Sequence, residues 1–390
     1  MLKKLAPRLN YKFTVRDATI GISSLLKQKK SDALYKLFEN EDIHFINHAR
    51  TGLRIALSSL ELPEKSRIGV QVYNCHTVFR AIQEAGFTPV FLDINEHFQL
   101  EAEDLKRKIK HIDALIVTHL FGIPAEFKRI KELAKKIPVI EDCAHSYISK
   151  YKNSYTGQFG DISIFSIGKA KFPTIGDGGF IVVNNLKYSQ AIKKEIAQLP
   201  GQTYLKEVVQ VLKGLLLSLA HYPIIYGSIV DRYLKKIYDE KDLSGKFKHE
   251  ESKYFKVNRG IFLQGLDDHF EKKEKQRKNV QHFIKCNESQ SSILDDIYNS
   301  KEMNWNCFMI PLLVNENRDV LIEILRDKGI EVGRHFSNSI NWAKSYGYVA
   351  GDCLNSERIS ETILTIPSNY NYDYHLYEEI STQLINETID

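Results

Sequence analysis

Long, clean apolar runs are missing from this chain. Its most apolar stretch, LKGLLLSLAHYPIIYGSIV at residues 212–230, is interrupted by Lys213, His221, Pro223 and two glycines. A bilayer span needs roughly 20 uninterrupted apolar residues, so no transmembrane helix is expected. Two readings of the stretch stay open. One is a buried helical hairpin or an insertion packed on a dimer. The other is an interfacial element lying on a bilayer through residues 204–236, with Arg232, Lys235 and Lys236 near lipid head groups. Paired cysteines are missing too. The five cysteines (Cys75, Cys143, Cys286, Cys307, Cys353) are scattered and form no CxxC, which argues against a disulfide framework and a zinc site and fits a reducing compartment. Charge of one sign is scarce: the net charge is +5 over 390 residues, with no long basic block. Nucleic acid is therefore a poor partner, whereas an acidic small molecule such as a nucleotide would suit. The opening MLKKLAPRLNYKF has no apolar h-region, so no signal peptide is expected. The expected location is the cytoplasm, with any peripheral contact at the inner face of the membrane. There is no internal repeat and no low-complexity segment.

What is present is material for a sizeable core, 43% hydrophobic against 26% charged residues, in a chain long enough for a large unit and a smaller partner. From residue 67 to 184 short apolar runs alternate with helical periods. IGVQVY, TPVFLDI, DALIVTHLFG and IPVIEDCA read as strands, and TVFRAIQEAG, LEAEDLKRKIK and AEFKRIKELAKK as the helices between them. That alternation is the pattern of βαβ units and a mostly parallel sheet flanked by helices. GDISIFSI and GGFIVVNN add two strands with no long helix between them, so part of the sheet is expected to run antiparallel. Upstream, TGLRIALSSL is an amphipathic helix entered through Ala49 and Arg50. Residues 259–390 read as an α+β unit containing a charged helix near 268–284, strands NCFMIPLLV and IEVGRHF, and a closing helix at 377–387. The expected division is a large α/β domain at 1–250, with an apolar helical insertion at about 204–247, and a small C-terminal domain at 251–390.

The stretch FSIGKAKFPTIGDGG, residues 165–179, places Lys169 and Lys171 between two apolar strands and ahead of a glycine turn. In open α/β sheets the ligand crevice lies at the carboxyl ends of the parallel strands. Along that edge fall Tyr73, Asn74 and His76, then His119, then Asp142, Cys143 and His145, then Ser166 and Lys171. A helix N-terminus after Ala49 adds N–H groups and a dipole that favour a phosphate. Pyridoxal phosphate needs such a set: a lysine to bond its aldehyde, a carboxylate for the ring nitrogen and a cup for its phosphate. A half-buried ammonium beside another cation gives up its proton readily. No metal site is expected, and His119 reads as a packing residue.

The same residues resemble the DegT/DnrJ/StrS sugar aminotransferases. The run Ser166, Lys171, Gly176, Asp177, Gly178, Gly179 is similar to that family's serine–lysine–glycine block. VIEDCAHS, AGFTPVFLDI, HLFGIPAEFKRIKELAKK, GQFGDISIFS, DKGIEVGRHF and ILTIPSNYNY resemble further blocks. The resemblance is dense over 44–184, thinner over 259–390 and weak across 1–40 and the apolar insertion. It implies a fold-type I pyridoxal phosphate transferase and a homodimer. The substrates would be glutamate and a nucleotide-linked keto sugar, and the product an amino sugar for a cell-surface polysaccharide or related glycan. Carried over, Lys171 would be the cofactor-linking lysine and proton shuttle. Asp142 would pair with the ring nitrogen, and His145 would lie near the phenolic oxygen. Ser166, Arg50 and Thr51 would hold the phosphate, and His76 would replace the usual aromatic stack, whose place falls at Cys75. Arg334 and His335 read either as contacts to a substrate phosphate or carboxylate or as a surface ion pair. Lys169 would face nucleotide or solvent. The family's GYN block, which reaches the neighbouring subunit's phosphate, is not found in KFKHEESKYFKVNRG. A dehydratase of the same fold replaces the lysine by histidine, which Lys171 argues against. The rival from another class is a non-catalytic or membrane-associated scaffold that keeps the fold.

Overall fold

The computed structural model describes residues 3–9, 11–232, 250–288, 291–314 and 317–389. Seven strands form the central sheet: β1 (Ile43–Ile46), β2 (Arg67–Gln71), β3 (Thr88–Leu92), β4 (Ala114–Thr118), β5 (Val139–Asp142), β8 (Ile162–Ser166) and β9 (Gly179–Val183). Between β5 and β8, the short β6 (Lys150–Tyr151) and β7 (Ser154–Tyr155) pair with each other and with β10 (Met303–Asn304). The order across the large sheet is β1-β9-β8-β5-β4-β2-β3. Neighbours from β8 to β3 pair in parallel, and β9 runs antiparallel to both β8 and β1. The expected antiparallel part is therefore β9, reached without a long helix.

The sequence periods explain this arrangement. ALIVT in β4 and ISIFS in β8 are buried along their whole length, as strands covered on both faces must be. Helices α2 (Asp32–Phe38), α3 (Ala49–Ser58), α4 (His76–Glu84), α5 (Ala102–Lys108), α6 (Phe127–Leu133) and α7 (Ser189–Gln198) supply the cover, while α1 (Val15–Leu26) packs against the helix Lys256–Gln264. On one face, Leu53 and Ile55 of α3 and Val78, Phe79 and Ile82 of α4 pack on Val70, Ile116, Ile140 and Ile164. On the other, Leu105 of α5 and Phe127 and Ile130 of α6 pack on Leu115 and Val117.

The C-terminal unit is built on β11 (Met309–Leu313) paired antiparallel with β12 (Ile363–Pro367). Its core joins Leu312, Leu325, Ile366, Tyr377 and Ile380 to Val280 and Phe283. The helix Lys256–Gln264 packs elsewhere: its Val257 and Ile261 meet Tyr11 and Val211, and its Phe262 meets Phe45 and Phe180 of the large sheet. The long helix Leu266–Cys286 starts in that core and ends in the small one. We propose that the boundary between the units falls inside this helix, whereas composition placed it at residue 250.

IEVGRHF differs from the expected strand. It makes isolated bridges from Ile330 to Ala6 and from Gly333 to Thr365. A turn closed by the Ser337 N–H on the Arg334 carbonyl (3.2 Å) cuts it short. The chain start fills the gap: Ala6 N–H bonds Gly329 O (2.8 Å), Glu331 N–H bonds Ala6 O (3.0 Å), and Leu5 N–H bonds Pro223 O (3.0 Å). The apolar insertion is seen as α8 (Tyr204–Ala220), a bend, the short helix Pro223–Ile225 and a π turn over Tyr226–Val230. Lys235, Lys236 and the remainder of the 204–247 segment lie outside the described residues.

One buried carboxylate ties the strand ends together beneath the sheet edge. Glu141 accepts hydrogen bonds from Gly157 N–H (2.8 Å), Phe159 N–H (2.6 Å), Gly160 N–H (2.6 Å) and Ser163 Oγ (3.2 Å). His119 Nδ1 accepts from Ala125 N–H (3.0 Å), so its Nε2 carries the proton directed at Glu141 (3.0 Å). Cys143 completes a cluster with ligand atoms within 4.8 Å of one another, but both imidazole nitrogens are already engaged. Burial alone would raise the Glu141 pKa; the hydrogen bonds from His119, Gly160 and Gly157 outweigh it and hold the carboxyl below its ordinary value. Glu141→Gln would point an amide N–H at backbone donors. It should lower the unfolding free energy by about 3 kcal/mol near neutral pH, measured by urea titration. The stabilisation from a depressed carboxyl is complete above the ordinary glutamate value and disappears as pH falls through the folded value. Wild type and variant should therefore converge on acidification.

Candidate active site

Because β8, β5, β4 and β2 are parallel neighbours, their carboxyl ends bring Ser166, Asp142, Thr118 and, just beyond β2, Asn74 to one edge. A cavity of about 770 Å³ opens there, and Lys171, Asp142, His145, Ser166, Arg50 and His76 all line it. Lys171 lies in a closed loop at the end of β8. Ile167 N–H bonds Gly178 O (3.1 Å), and Ile175 N–H returns to Ile167 O (3.0 Å). Burial pushes the Lys171 ammonium below its ordinary value. Cys75 and Asp142 oppose that shift, and the Arg50 cation adds to it.

Asp142 is held from two sides. Ala144 N–H donates to one oxygen (3.1 Å) and Thr118 Oγ1 to the other (3.3 Å), while Asn74 Nδ2 donates to Thr118 Oγ1 (2.8 Å). Burial still raises its pKa, against the pull of Ala144 N–H, Lys171 and Thr118. His145 Nδ1 accepts from Phe121 N–H (3.3 Å), so the neutral ring carries its proton on Nε2. Burial first, then Lys171 and His335, push its pKa well down. The ring lies nearly parallel to Phe336, with centroids 5.7 Å apart.

The start of α3 forms part of the cavity wall, where His48, Ala49 and Arg50 line it. The first α3 amide to bond backward is Gly52 N–H, to His48 O (3.2 Å). Gly179 permits this approach. A Cβ there would lie 2.4 Å from Phe165 O and 3.0 Å from Ala49 N, so any side chain would push β9 and α3 apart.

Other expected residues have different surroundings. Thr51 is buried, and its hydroxyl donates to Asn47 Oδ1 (2.8 Å). His76 sets its ring edge-on to Trp342 (5.2 Å). Cys75 also lines the cavity; burial would raise its thiol pKa, but hydrogen bonds with His76 and Thr77 outweigh that and lower it. Arg334 is exposed, pairs with Asp319 (3.2 Å) and is not among the lining residues. The His335 ring sits 5.2 Å from that of His145, and its Nε2 is buried without a hydrogen-bond partner. Burial first, then Arg8 and Lys171, push its pKa well down.

Three contributors escaped the sequence reading. Thr118 is the hydroxyl that orients Asp142. Asn258, buried on the helix after the apolar segment, donates to Asp177 O (2.6 Å). Lys213 of α8 bonds the Asp177 carboxylate (2.7 Å), joined by Gln210 (3.2 Å). The available signal was a polar side chain inside an otherwise apolar helical run, at 213. Lys169, also in the wall, has its pKa lowered by burial, and by Lys213 against Asp177.

The profile of the DegT/DnrJ/EryC1/StrS aminotransferase family matches residues 33–207 and 261–384. The chain belongs to the DegT/DnrJ/EryC1/StrS aminotransferase family. Most of the apolar segment falls in the unmatched interval of the DegT/DnrJ/EryC1/StrS profile. Among relatives, GDP-perosamine synthase of Escherichia coli O157:H7 is 38% identical over 144 residues, covering 36% of this chain and 40% of that enzyme. GDP-perosamine synthase of Vibrio cholerae is 31% identical over 160 residues, covering 38% and 44%. This chain thus aligns with about two fifths of the length of either. Two solved structures show the same fold across the whole chain. Helicobacter pylori PseC, an aminotransferase involved in the biosynthesis of pseudoaminic acid, has TM-score 0.75 at 15% identity, covering 98% of this chain and 99% of that one. Streptococcus pneumoniae Spr1654, a sugar aminotransferase in its PMP form, has TM-score 0.77 at 15% identity, covering 98% and 100%. The fold is that of the fold-type I transferases.

DegT/DnrJ/EryC1/StrS aminotransferases depend on pyridoxal phosphate, and the cavity fits it. A buried amine of lowered pKa, a carboxylate with two oriented oxygens and a helix N-terminus line the same cavity. Removing the Arg50 cation lifts one of the forces depressing Lys171. Arg50→Ala should therefore move the pH midpoint for reaction of Lys171 with pyridoxal phosphate upward, read from the absorbance of the adduct across a pH series. An unchanged or lower midpoint would contradict the proximity of the two groups.

Proposed function

We propose that this chain is a pyridoxal-phosphate-dependent aminotransferase. It would move an amino group from glutamate to a nucleotide-linked keto sugar, in the making of an amino sugar for lipopolysaccharide or a related glycan. One observation carries the reading: the Lys171 amine, its proton affinity lowered by burial, shares a cavity with a carboxylate and a helix N-terminus. The names of the relatives and the cations around the cavity support the sugar-nucleotide part. Arg50 and Lys169 line the wall, and a diphosphate would be drawn to them; Arg80 is in the wall too but is held by Glu84 (2.7 Å). Arg54 contributes less, being held by Glu251 (2.7 Å) and Glu195 (2.9 Å).

Bound in this cavity, pyridoxal phosphate would supply a ring that draws electrons from the carbon bearing the amino group. The residues would do the rest. Asp142, oriented by Thr118 and Ala144, would hold a proton on the ring nitrogen. His145 would offer Nε2–H to an anionic oxygen on the ring. The α3 amides and Ser166 Oγ would take the phosphate. Lys171 Nζ would lift the proton from the amino-bearing carbon of the donor and return one to the sugar carbon. The enzyme would work in the cytoplasm as a homodimer.

The test supplies nitrogen-labelled glutamate and a panel of nucleotide-linked keto sugars to the purified protein, with products read by mass spectrometry. Wild type should deliver label to one sugar class, and Lys171→Ala should lose transfer by roughly ten-thousand-fold or more. Turnover in the variant, or no transfer by wild type to any sugar, would overturn the reading.

A further inference from the structure

The apolar segment that the family profile does not match carries its own inference. Helix α8 is apolar on two sides. Its inner side is anchored: Val211 is buried, Gly214 lies against the Phe13 ring, and Ser218 Oγ accepts Phe13 N–H (3.0 Å). Glu207 accepts the N–H groups of Lys256 (2.8 Å) and Val257 (3.1 Å), and Lys213 holds Asp177. The outer side is a stripe with helical spacing, made of Leu205, Val209, Leu212, Leu216 and Leu219, each at least 47% exposed. Past a 74° bend, Tyr222, Ile224, Ile225 and Ile229 are exposed as well. Helix α1, which packs beside α8, exposes Val15, Ile22 and Leu26. Contiguous apolar surface of this kind marks a docking face.

The charges around it identify the occupant. Asp17 is the one acid in residues 3–30, and Glu207 and Asp231 are the two in 204–232. Asp17 is spent capping α1, where it accepts Thr14 N–H (2.7 Å), and the other two are buried. Exposed cations remain: Lys4, Lys12 and Lys27 from the chain start, beside Arg16, which pairs with Asp268 (4.0 Å), and Lys206, which pairs with Glu250 (3.1 Å). Tyr204 and Tyr222 stand exposed at the two ends of the stripe, where aromatic side chains meet the head-group region of a bilayer. A second copy of the chain would set these cations against one another, a repulsive arrangement; a negatively charged lipid surface neutralises them.

We propose that the outer face of α8, continued by residues 222–229 and α1, docks on a bilayer containing anionic lipid. The helix lies on the surface and does not cross it. No single helix among the described residues is long and apolar enough to span; α8 reaches that length only together with Pro223–Val230, across the 74° bend, and the inner side of α8 is committed to the protein body. Docking of this kind immerses one apolar face to the depth of the acyl boundary. The inference uses residues outside the catalytic set and stands apart from the reaction proposed above.

The test is flotation of the full chain with phosphatidylcholine vesicles, with or without phosphatidylglycerol. The wild-type protein should float with the phosphatidylglycerol vesicles, and more weakly without that lipid. The triple variant Leu212→Ser, Leu216→Ser, Leu219→Ser should partition at least roughly tenfold less. Its thermal midpoint should match wild type, since the replaced side chains are exposed. Lys4→Glu with Lys12→Glu should abolish the preference for phosphatidylglycerol, and this pair decides the matter should the triple variant not fold. The proposal fails if wild type floats with neither vesicle or if the variants float as wild type does. It also fails if the triple substitution lowers the mass in sedimentation while wild type never floats, because a second copy then covers the face.

Discussion

Withdrawing one ammonium group from water is the constraint around which this chain is arranged. A lysine in bulk water keeps its proton far above neutral pH; moved into a low-dielectric cavity it holds that proton much less tightly. Lys171 is moved there by a loop that closes on itself between Ile167 and Gly178, at the end of a strand buried along its length. Everything else at the sheet edge is consistent with an amine of that kind. Arg50 adds a second cation near it, and Asp142 and Cys75 supply the opposing pull.

The two adjacent acids of β5 show how a strand divides labour. Successive side chains point to opposite faces, so Glu141 and Asp142 meet different surroundings. Glu141 is surrounded by donors and is held ionised as a structural knot. Asp142 has two oriented hydrogen bonds, faces the cavity, and lets burial raise its pKa. The first acid fixes the loops that surround the second. A similar economy links α8 to the site: the face that turns inward holds Asp177 in the glycine turn, while the opposite face is left apolar and exposed.

Much of this was legible in the residues. Strand and helix periods from 67 to 184 placed the sheet, and the polar residues after each apolar run marked its working edge. Lys171, Asp142, His145, Ser166, Arg50 and His76 all reach that cavity. What was not legible depends on contacts distant in the chain. Arg334 was ambiguous because an arginine in a short apolar segment suits a ligand or an ion pair equally, and Asp319, which it meets, lies on a neighbouring helix. IEVGRHF has strand composition, yet a turn at Arg334–Ser337 and the chain start at Ala6 decide its form. The resemblance put Thr51 at the phosphate; the bond of its hydroxyl to Asn47, one turn earlier, had no sequence signal. Asn258 carried no local pattern, since its acceptor at Asp177 is far away in sequence.

The account depends on which side chain bonds the aldehyde of pyridoxal phosphate. Loading the protein with that cofactor, reducing with borohydride and mapping the digested peptides locates the bond directly. The label should appear at Lys171, in the peptide containing residues 165–179, and at no other lysine. A label on Lys169 or elsewhere, or no label at all, would contradict the account.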